Sequence, residues 1–285
     1  MKNHRNSEKI EHIFNPTISE FNEQYGLKFK PVLIKGLMDN WDAKTKWTPD
    51  FFRNNFGNLK IQARRCSDNE DRKTFTLRDY FSYMKTSDEE DPYYLTNAKF
   101  HLKTEMMNDY EVPPYFKNKK LIKDRLLSSA NLSWVYIGAK NTFSKVHLDI
   151  FDTNAWNAVI SGKKIWLFYS PEQAEYLYHG EVNPFKPDLV KFPKFANARP
   201  IVCVQNPGEV VFTPSGWWHT VYNDEAGVSI TENFVNEINS EIVKKKFLEH
   251  KKLIKKALLR APVSIMKQSV KTLLSIIQRN GSTKG

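Results

Sequence analysis

The feature that most constrains the fold is a run of short segments, rich in aromatic and β-branched residues, that begins near Pro92 and continues to Val235. Residues 93–97, 132–138, 143–149, 155–160, 164–169, 201–205, 209–213, 217–222 and 228–235 are predicted as strands. Ser-Gly, Pro-Gly and Asn-Asp pairs punctuate them as turns. Short strands in such number and spacing point to a sandwich or barrel. Residues 171–200, broken by Pro184, Pro187 and Pro193, interrupt the series and are expected to form a lid or an insert.

The first third of the chain reads as mixed helix and strand. Residues 30–36 look like a short strand ended by Gly36. Thr48 supplies an N-cap and Pro49 a pre-set first helical residue, so a helix is predicted from Pro49 to Phe56, stopping near Gly57. Thr76 with Asp79 resembles a capping box that opens a helix through about Lys85. These elements carry no recognisable chemistry and are expected to cover one side of the core. The organisation expected is a mixed cover over 1–91, a catalytic β domain over 92–236 and a basic helical extension over 237–285.

Composition narrows the setting. With 40% hydrophobic and 13% aromatic residues, 285 residues can bury a sizeable core. Two cysteines, Cys66 and Cys203, argue against a disulfide scaffold and against a four-thiolate zinc module. The N-terminal residues lack the apolar core of a signal peptide, and no stretch approaches the roughly 18 apolar residues of a membrane span. An intracellular protein of cytoplasm or nucleus is expected, with no membrane span. The net charge of +11 is uneven: residues 237–285 hold twelve Lys or Arg against three acidic residues, leaving only +2 for the rest.

The chemistry lies in His147-Leu148-Asp149 and in His219, which closes Thr213-Pro214-Ser215-Gly216-Trp217-Trp218-His219. In an extended strand, residues two apart share a face, so His147 and Asp149 can grip one ion. Two imidazoles and one carboxylate leave coordination positions open and favour ferrous iron. A cupin-type double-stranded β-helix, or jelly roll, is the all-β architecture that holds a metal in its mouth. Ser161-Gly162-Lys163-Lys164, read as a two-residue hairpin, pairs Val159 with Trp166 and Asn157 with Phe168, and puts Asn157 and Lys164 on one face. A lysine pointing into a barrel is costly unless it meets an anion; at the strand end it can instead snorkel to solvent. In 228–235, Ser229, Thr231 and Asn233 share one face, which either lines a site or faces solvent.

Residues 147–166, with the Pro207 to His219 segment and Ile230-Thr231-Glu232-Asn233-Phe234, resemble the jumonji-C (JmjC) family of iron and 2-oxoglutarate oxygenases, in particular its phosphatidylserine-receptor-like lysyl hydroxylases. The resemblance spans roughly 30–235. It implies Fe(II) held by His147, Asp149 and His219, and 2-oxoglutarate as cosubstrate with O2. Lys164 matches the partner of the distal 2-oxoglutarate carboxylate, and Thr231 and Tyr94 match hydroxyls that reach it. Asn157 and Asn233 match amides near cosubstrate and iron, and Trp134 a wall of the pocket. Lys145 stands where the family has glycine and Ser144 where it has threonine, so a cation at the entrance narrows the pocket or recruits an acidic substrate.

The function implied is hydroxylation of a protein side chain, with lysine the leading substrate. The alternatives are N-methyl-lysine or arginine demethylation, hydroxylation of RNA or a small molecule, and a non-catalytic cupin-like binding module. The intact triad with Lys164 and Thr231 argues against the last. In the extension, Ile242, Phe247, Ile254 and Leu258, then Met266, Val270, Leu273, Leu274 and Ile277, recur at near-helical spacing among lysines. These stripes either pack on the body or form a homodimer contact, while the lysines face solvent, an acidic partner or nucleic acid.

Overall fold

In a computed structural model, the described residues are 7–119, 121 and 131–260. Two facing β-sheets build a jelly roll. The smaller has the order β1 (Glu8–Lys9), β10 (Ile201–Gln205), β9 (Lys163–Tyr169), β12 (Trp218–Glu225). The larger has nine strands in the order β2 (Glu11–Phe14), β3 (Val32–Lys35), β11 (Val210–Thr213), β8 (Asn154–Val159), β13 (Gly227–Phe234), β7 (Ser133–Gly138), β6 (Tyr93–Ala98), β4 (Lys60–Arg65), β5 (Arg72–Thr76). Eight of the nine expected strands form within a residue or a few of their expected bounds.

The ninth does not form as a regular strand. Across residues 143–149 the chain makes only two isolated bridges, Phe143 to Tyr222 and His147 to His219. Ser144 breaks the ladder between them: its Oγ accepts the Val221 N–H at 3.0 Å, and its carbonyl accepts the Thr220 hydroxyl at 2.6 Å.

The expected hairpin across Gly162 is also absent. Both edges of β8 are occupied, by β11 and β13, and both edges of β9 by β10 and β12. With four edges filled, β8 and β9 have none left for each other. Ile160 and Ser161 continue to donate to the Val228 carbonyl, and the chain then crosses to the opposite sheet. Gly162 makes that crossing with φ +78°, and a Cβ there would stand 2.5 Å from the Ala226 carbonyl oxygen. Asn157 therefore does not oppose Phe168. Its neighbours are Val211 and Thr231, and those of Lys164 are Gln205 and Asn223.

The outer face of the large sheet carries the main core. Trp156, Ala158, Ile230, Phe234, Val135 and Ile137 pack there against the N-terminal third. α1 (Ile18–Phe21), α2 (Ala43–Lys46), α3 (Pro49–Phe56) and α4 (Leu77–Thr86) supply Phe21, Ala43, Phe52, Leu77, Tyr80 and Phe81 to that core. The N-terminal helices thus cover the core, while β2 to β5 extend the sheet itself. Thr48 caps α3 through the Phe51 N–H, as expected. Thr76 caps α4 through the Asp79 N–H, but the Asp79 carboxylate takes the Thr76 hydroxyl rather than its backbone N–H, so the box is half formed. The reciprocal box occurs at Thr17 and Glu20.

Residues 171–200 are an insert with a core of its own. Leu177, Val182, Phe192, Phe195 and Ala198 bury themselves against Leu167 and Tyr169 on the outer face of the small sheet. Between the sheets, Leu33, Val211, Trp166, Phe168 and Cys203 fill one part with apolar side chains. Cys203 and Cys66 are both free and buried, the latter taking the Phe143 N–H on its sulfur at 3.1 Å. No helix among the described residues is long and apolar enough to cross a membrane.

Candidate metal and anion site

Strand alternation sorts the inter-sheet space into an apolar and a polar part. On β9, Lys164 shares a face with Trp166 and Phe168; on β12, His219 shares one with Val221 and Asn223. On β13 the stripe Ser229, Thr231, Asn233 is buried, at 0%, 9% and 4% exposure, so this polar face lines the interior and is not solvated. Asn157 pairs with Thr231, and Trp134 with Thr231 from the other side, which puts all three on one wall.

His147 and His219 exchange backbone hydrogen bonds of 3.0 Å in both directions, and their rings come to 4.3 Å between centroids. Asp149, two residues on, completes a group whose three ligand atoms all lie within 4.8 Å of one another. Each imidazole is oriented through Nδ1: that of His147 meets the Lys145 carbonyl at 2.7 Å, and that of His219 the Trp217 carbonyl at 3.1 Å. A backbone carbonyl can only accept, so each Nδ1 carries the proton and each Nε2 offers its lone pair. Burial, and then the facing His219, push the His147 pKa down and favour the neutral, ligand form. The Asp149 Oδ2 is buried without a hydrogen-bond partner. Two imidazoles whose Nε2 atoms are free to coordinate, beside one unsatisfied carboxylate oxygen, fit a divalent ion.

The turn before His219 is built for this. Asn154 accepts both the Ser215 N–H at 2.8 Å and the Ser215 hydroxyl at 2.9 Å, and Gly216 takes φ +79°. The turn after Asp149 is fixed through Asn233, whose amide donates to the Thr153 hydroxyl at 2.9 Å.

Along the same interior, Lys164 is buried at 6% exposure. Its Nζ donates to the Asn223 Oδ1 at 2.7 Å and lies 3.4 Å from the Tyr94 hydroxyl. No carboxylate forms an ion pair with it among the described residues, and burial pushes its pKa down to about 7. Burial likewise pushes the Tyr94 phenol up. The Thr231 hydroxyl donates to the Trp156 carbonyl, so it must rotate to donate to any ligand. The Asn157 Oδ1 and Ser229 Oγ are buried and unsatisfied. Lys164 sits four residues along β9 from Phe168, the residue opposite His219, which is about 13 Å of strand.

Gly138 permits this packing. A Cβ there would stand 2.3 Å from the Asn223 Nδ2 and 2.9 Å from the Tyr94 ring. Sequence reading missed Gly138, Asn154 and Asn223, although Asn223 was accessible to it: four residues past His219 on one strand returns to the same face. Lys145 is exposed, and only its carbonyl engages the site.

Residues 18–240 match the model of the cupin-like domain. The chain belongs to that cupin-like family. Lysine-specific demethylase JMJ21 of Arabidopsis thaliana is 34% identical over 245 residues, covering 81% of this chain and 26% of that protein. Bifunctional arginine demethylase and lysyl-hydroxylase psr-1 of Caenorhabditis elegans is 29% identical over 250 residues, covering 80% of this chain and 61% of its own length. 2-oxoglutarate and iron-dependent oxygenase JMJD4 of Gallus gallus is 30% identical over 268 residues, with 82% and 61% covered. The chain thus spans from about a quarter to three fifths of the length of these relatives.

Proposed function

We propose that the chain is an Fe(II)- and 2-oxoglutarate-dependent oxygenase that hydroxylates a protein side chain, with lysine the leading substrate. The observation that carries this is the coexistence, inside one jelly roll, of the His147, Asp149, His219 group and a buried lysine, Lys164, that has no carboxylate partner among the described residues. The names of the relatives, which include an iron and 2-oxoglutarate-dependent oxygenase, support the same reading.

His147, Asp149 and His219 would hold the ion. Iron there supplies the oxidative chemistry that couples 2-oxoglutarate decarboxylation to hydroxylation. Lys164 pairs with the distal carboxylate of the cosubstrate, where low dielectric makes a charge-assisted hydrogen bond strong. Tyr94 and Thr231 bring hydroxyls to that carboxylate, while Asn223 holds the lysine in place. Asn157 offers an unsatisfied amide oxygen, Asn233 keeps the turn after Asp149 closed through Thr153, and Trp134 walls the chamber and excludes water.

Demethylation of N-methyl-arginine or N-methyl-lysine is the second reading, because relatives with both activities in their names match this chain at similar identity. Incubation with iron, 2-oxoglutarate and pools of lysine, methyl-lysine and methyl-arginine peptides, alongside RNA, separates these by mass. A gain of about 16 Da on a peptide supports hydroxylation and a loss of about 14 Da demethylation. A modified nucleotide moves the substrate to RNA, and absence of 2-oxoglutarate turnover sinks the oxygenase reading. The basic extension is proposed to meet an acidic partner and to offer a homodimer contact. Ile242 is 36% exposed, while Phe247 is buried against the body. The remainder of both stripes lies outside the side chains described.

A further inference from the structure

The turn that follows the carboxylate ligand is held in a backbone conformation that side chains disfavour. Phe151 and Asp152 both have φ +53°, two consecutive residues in the left-handed region without a glycine. Each such residue needs surroundings that over-determine it. Within the turn, Asp152 N–H donates to the Asp149 carbonyl at 3.0 Å and Thr153 N–H to the Ile150 carbonyl at 3.0 Å. From the interior, Asn233 braces it through Thr153.

The outer brace is the last described helix, α5 (Ser240–Arg260). Phe247, 3% exposed, sets its ring edge-on to Phe151 at 5.2 Å between centroids, and His250 does the same at 5.4 Å. Lys246, 42% exposed at its side chain, pairs with Asp152 at 3.6 Å. One helical turn of a segment remote in sequence thus grips both strained residues, two and three positions after Asp149.

We propose that Phe247 and Lys246 are positioning residues for the metal site: by clamping Phe151 and Asp152, α5 holds the Asp149 carboxylate where the two imidazoles can share an ion with it. The proposal rests on the reading of His147, Asp149 and His219 as metal ligands. It assigns the start of the basic extension an intramolecular task, independent of any partner. Outer partners that orient a ligand typically change metal affinity by about ten- to a hundredfold when removed.

The test measures Mn(II) affinity of the full chain by electron paramagnetic resonance, and 2-oxoglutarate affinity at saturating Mn(II) by calorimetry. Failure of the unaltered protein to bind Mn(II) overturns the metal reading itself. If it binds, Phe247→Ala is expected to weaken Mn(II) about tenfold or more, with 2-oxoglutarate affinity of the loaded protein unchanged. It should also speed hydrogen exchange at the Asp152 and Thr153 amides in the metal-free protein. Lys246→Glu, a substitution at a half-exposed position that leaves the core alone, should move the same readouts in the same direction, and Lys246→Arg should restore them. Unchanged Mn(II) affinity in both Phe247→Ala and Lys246→Glu overturns the proposal. So does an equal loss of 2-oxoglutarate affinity, which marks general loosening. Should Phe247→Ala not fold, the Lys246→Glu and Lys246→Arg pair decides alone.

Discussion

Lys164 and Asn223 face each other across β9 and β12, and the lysine ammonium donates to the asparagine oxygen at 2.7 Å. An amide oxygen fixes the amine in place without pairing it with an anion, so a carboxylate ligand meets no competitor for it. Lys164→Ala should therefore raise the Kd for 2-oxoglutarate steeply while leaving metal content unchanged. Removing one partner of a buried ion pair costs about 3–5 kcal/mol. Calorimetry on the Mn(II)-loaded variant checks this, and an unchanged cosubstrate affinity would mean that another cation serves.

The pH dependence follows from the same residue. Burial pushes the Lys164 pKa from 10.5 down to about 7. Above that pH the ligand-free protein holds a neutral amine, and binding a carboxylate must take up a proton. Affinity for 2-oxoglutarate should fall about tenfold per pH unit above 7. In the ligand-free protein the unfolded chain keeps this proton up to about 10.5, so between about 7 and 10.5 unfolding binds a proton. This group's contribution to stability therefore rises with pH across that window. Calorimetry at pH 8 in two buffers of different ionisation enthalpy reads the proton directly, and no proton uptake would refute the prediction.

His147→Ala and Asp149→Ala should each abolish metal binding and 2-oxoglutarate turnover together, because loss of one ligand in three removes geometry, and for Asp149 charge as well. Metal content by mass spectrometry and succinate release are the readouts. Full turnover in either variant would remove these residues from the site.

Gly138→Ala should act at a distance from the metal. The added Cβ meets Asn223, Thr142 and Tyr94 at 2.3, 2.7 and 2.9 Å, and something must shift. Overpacking of this kind costs about 1–3 kcal/mol. Thermal unfolding should drop, and 2-oxoglutarate affinity should fall more than metal affinity, since the displaced residues hold Lys164.

Removing residues after Arg260 keeps α5 and tests the remaining extension. Loss of a dimer in solution, or of salt-sensitive binding to acidic polymers, would support the proposed roles. A full-length monomer that binds neither acidic polymers nor nucleic acid would leave those residues without them.

Much of this was legible in the sequence because strand periodicity and turn residues act locally. Thr48 and Pro49 specify α3 by themselves, and alternation put Thr231 and Asn233 on one face. Which way that face points was not local: it depends on which sheet covers it. The same limit undid the hairpin, since a glycine turn specifies a reversal of direction but not whether the returning strand stays in its own sheet. Gly162 has the positive φ such a turn asks for, yet β8 and β9 end on opposite walls. The extended stretch before Asp149 failed as a strand through Ser144, a side chain competing for ladder hydrogen bonds. The clamp of Phe247 on Phe151 joins residues almost a hundred positions apart, beyond any sequence period.

The two buried thiols bear on how the protein would withstand the oxidative chemistry proposed for it. Burial pushes the Cys66 pKa up to about 12 and that of Cys203 further still. Thiolate is the form that oxidants attack, and neither sulfur presents it at neutral pH. Cys203 lies between the sheets beside Trp166 and Phe168, the aromatic rings that neighbour His219. If the site activates O2 as proposed, a thiol beside its aromatic wall is held in its least oxidisable state, and self-inactivation by thiol damage at these two positions would be disfavoured by the packing alone.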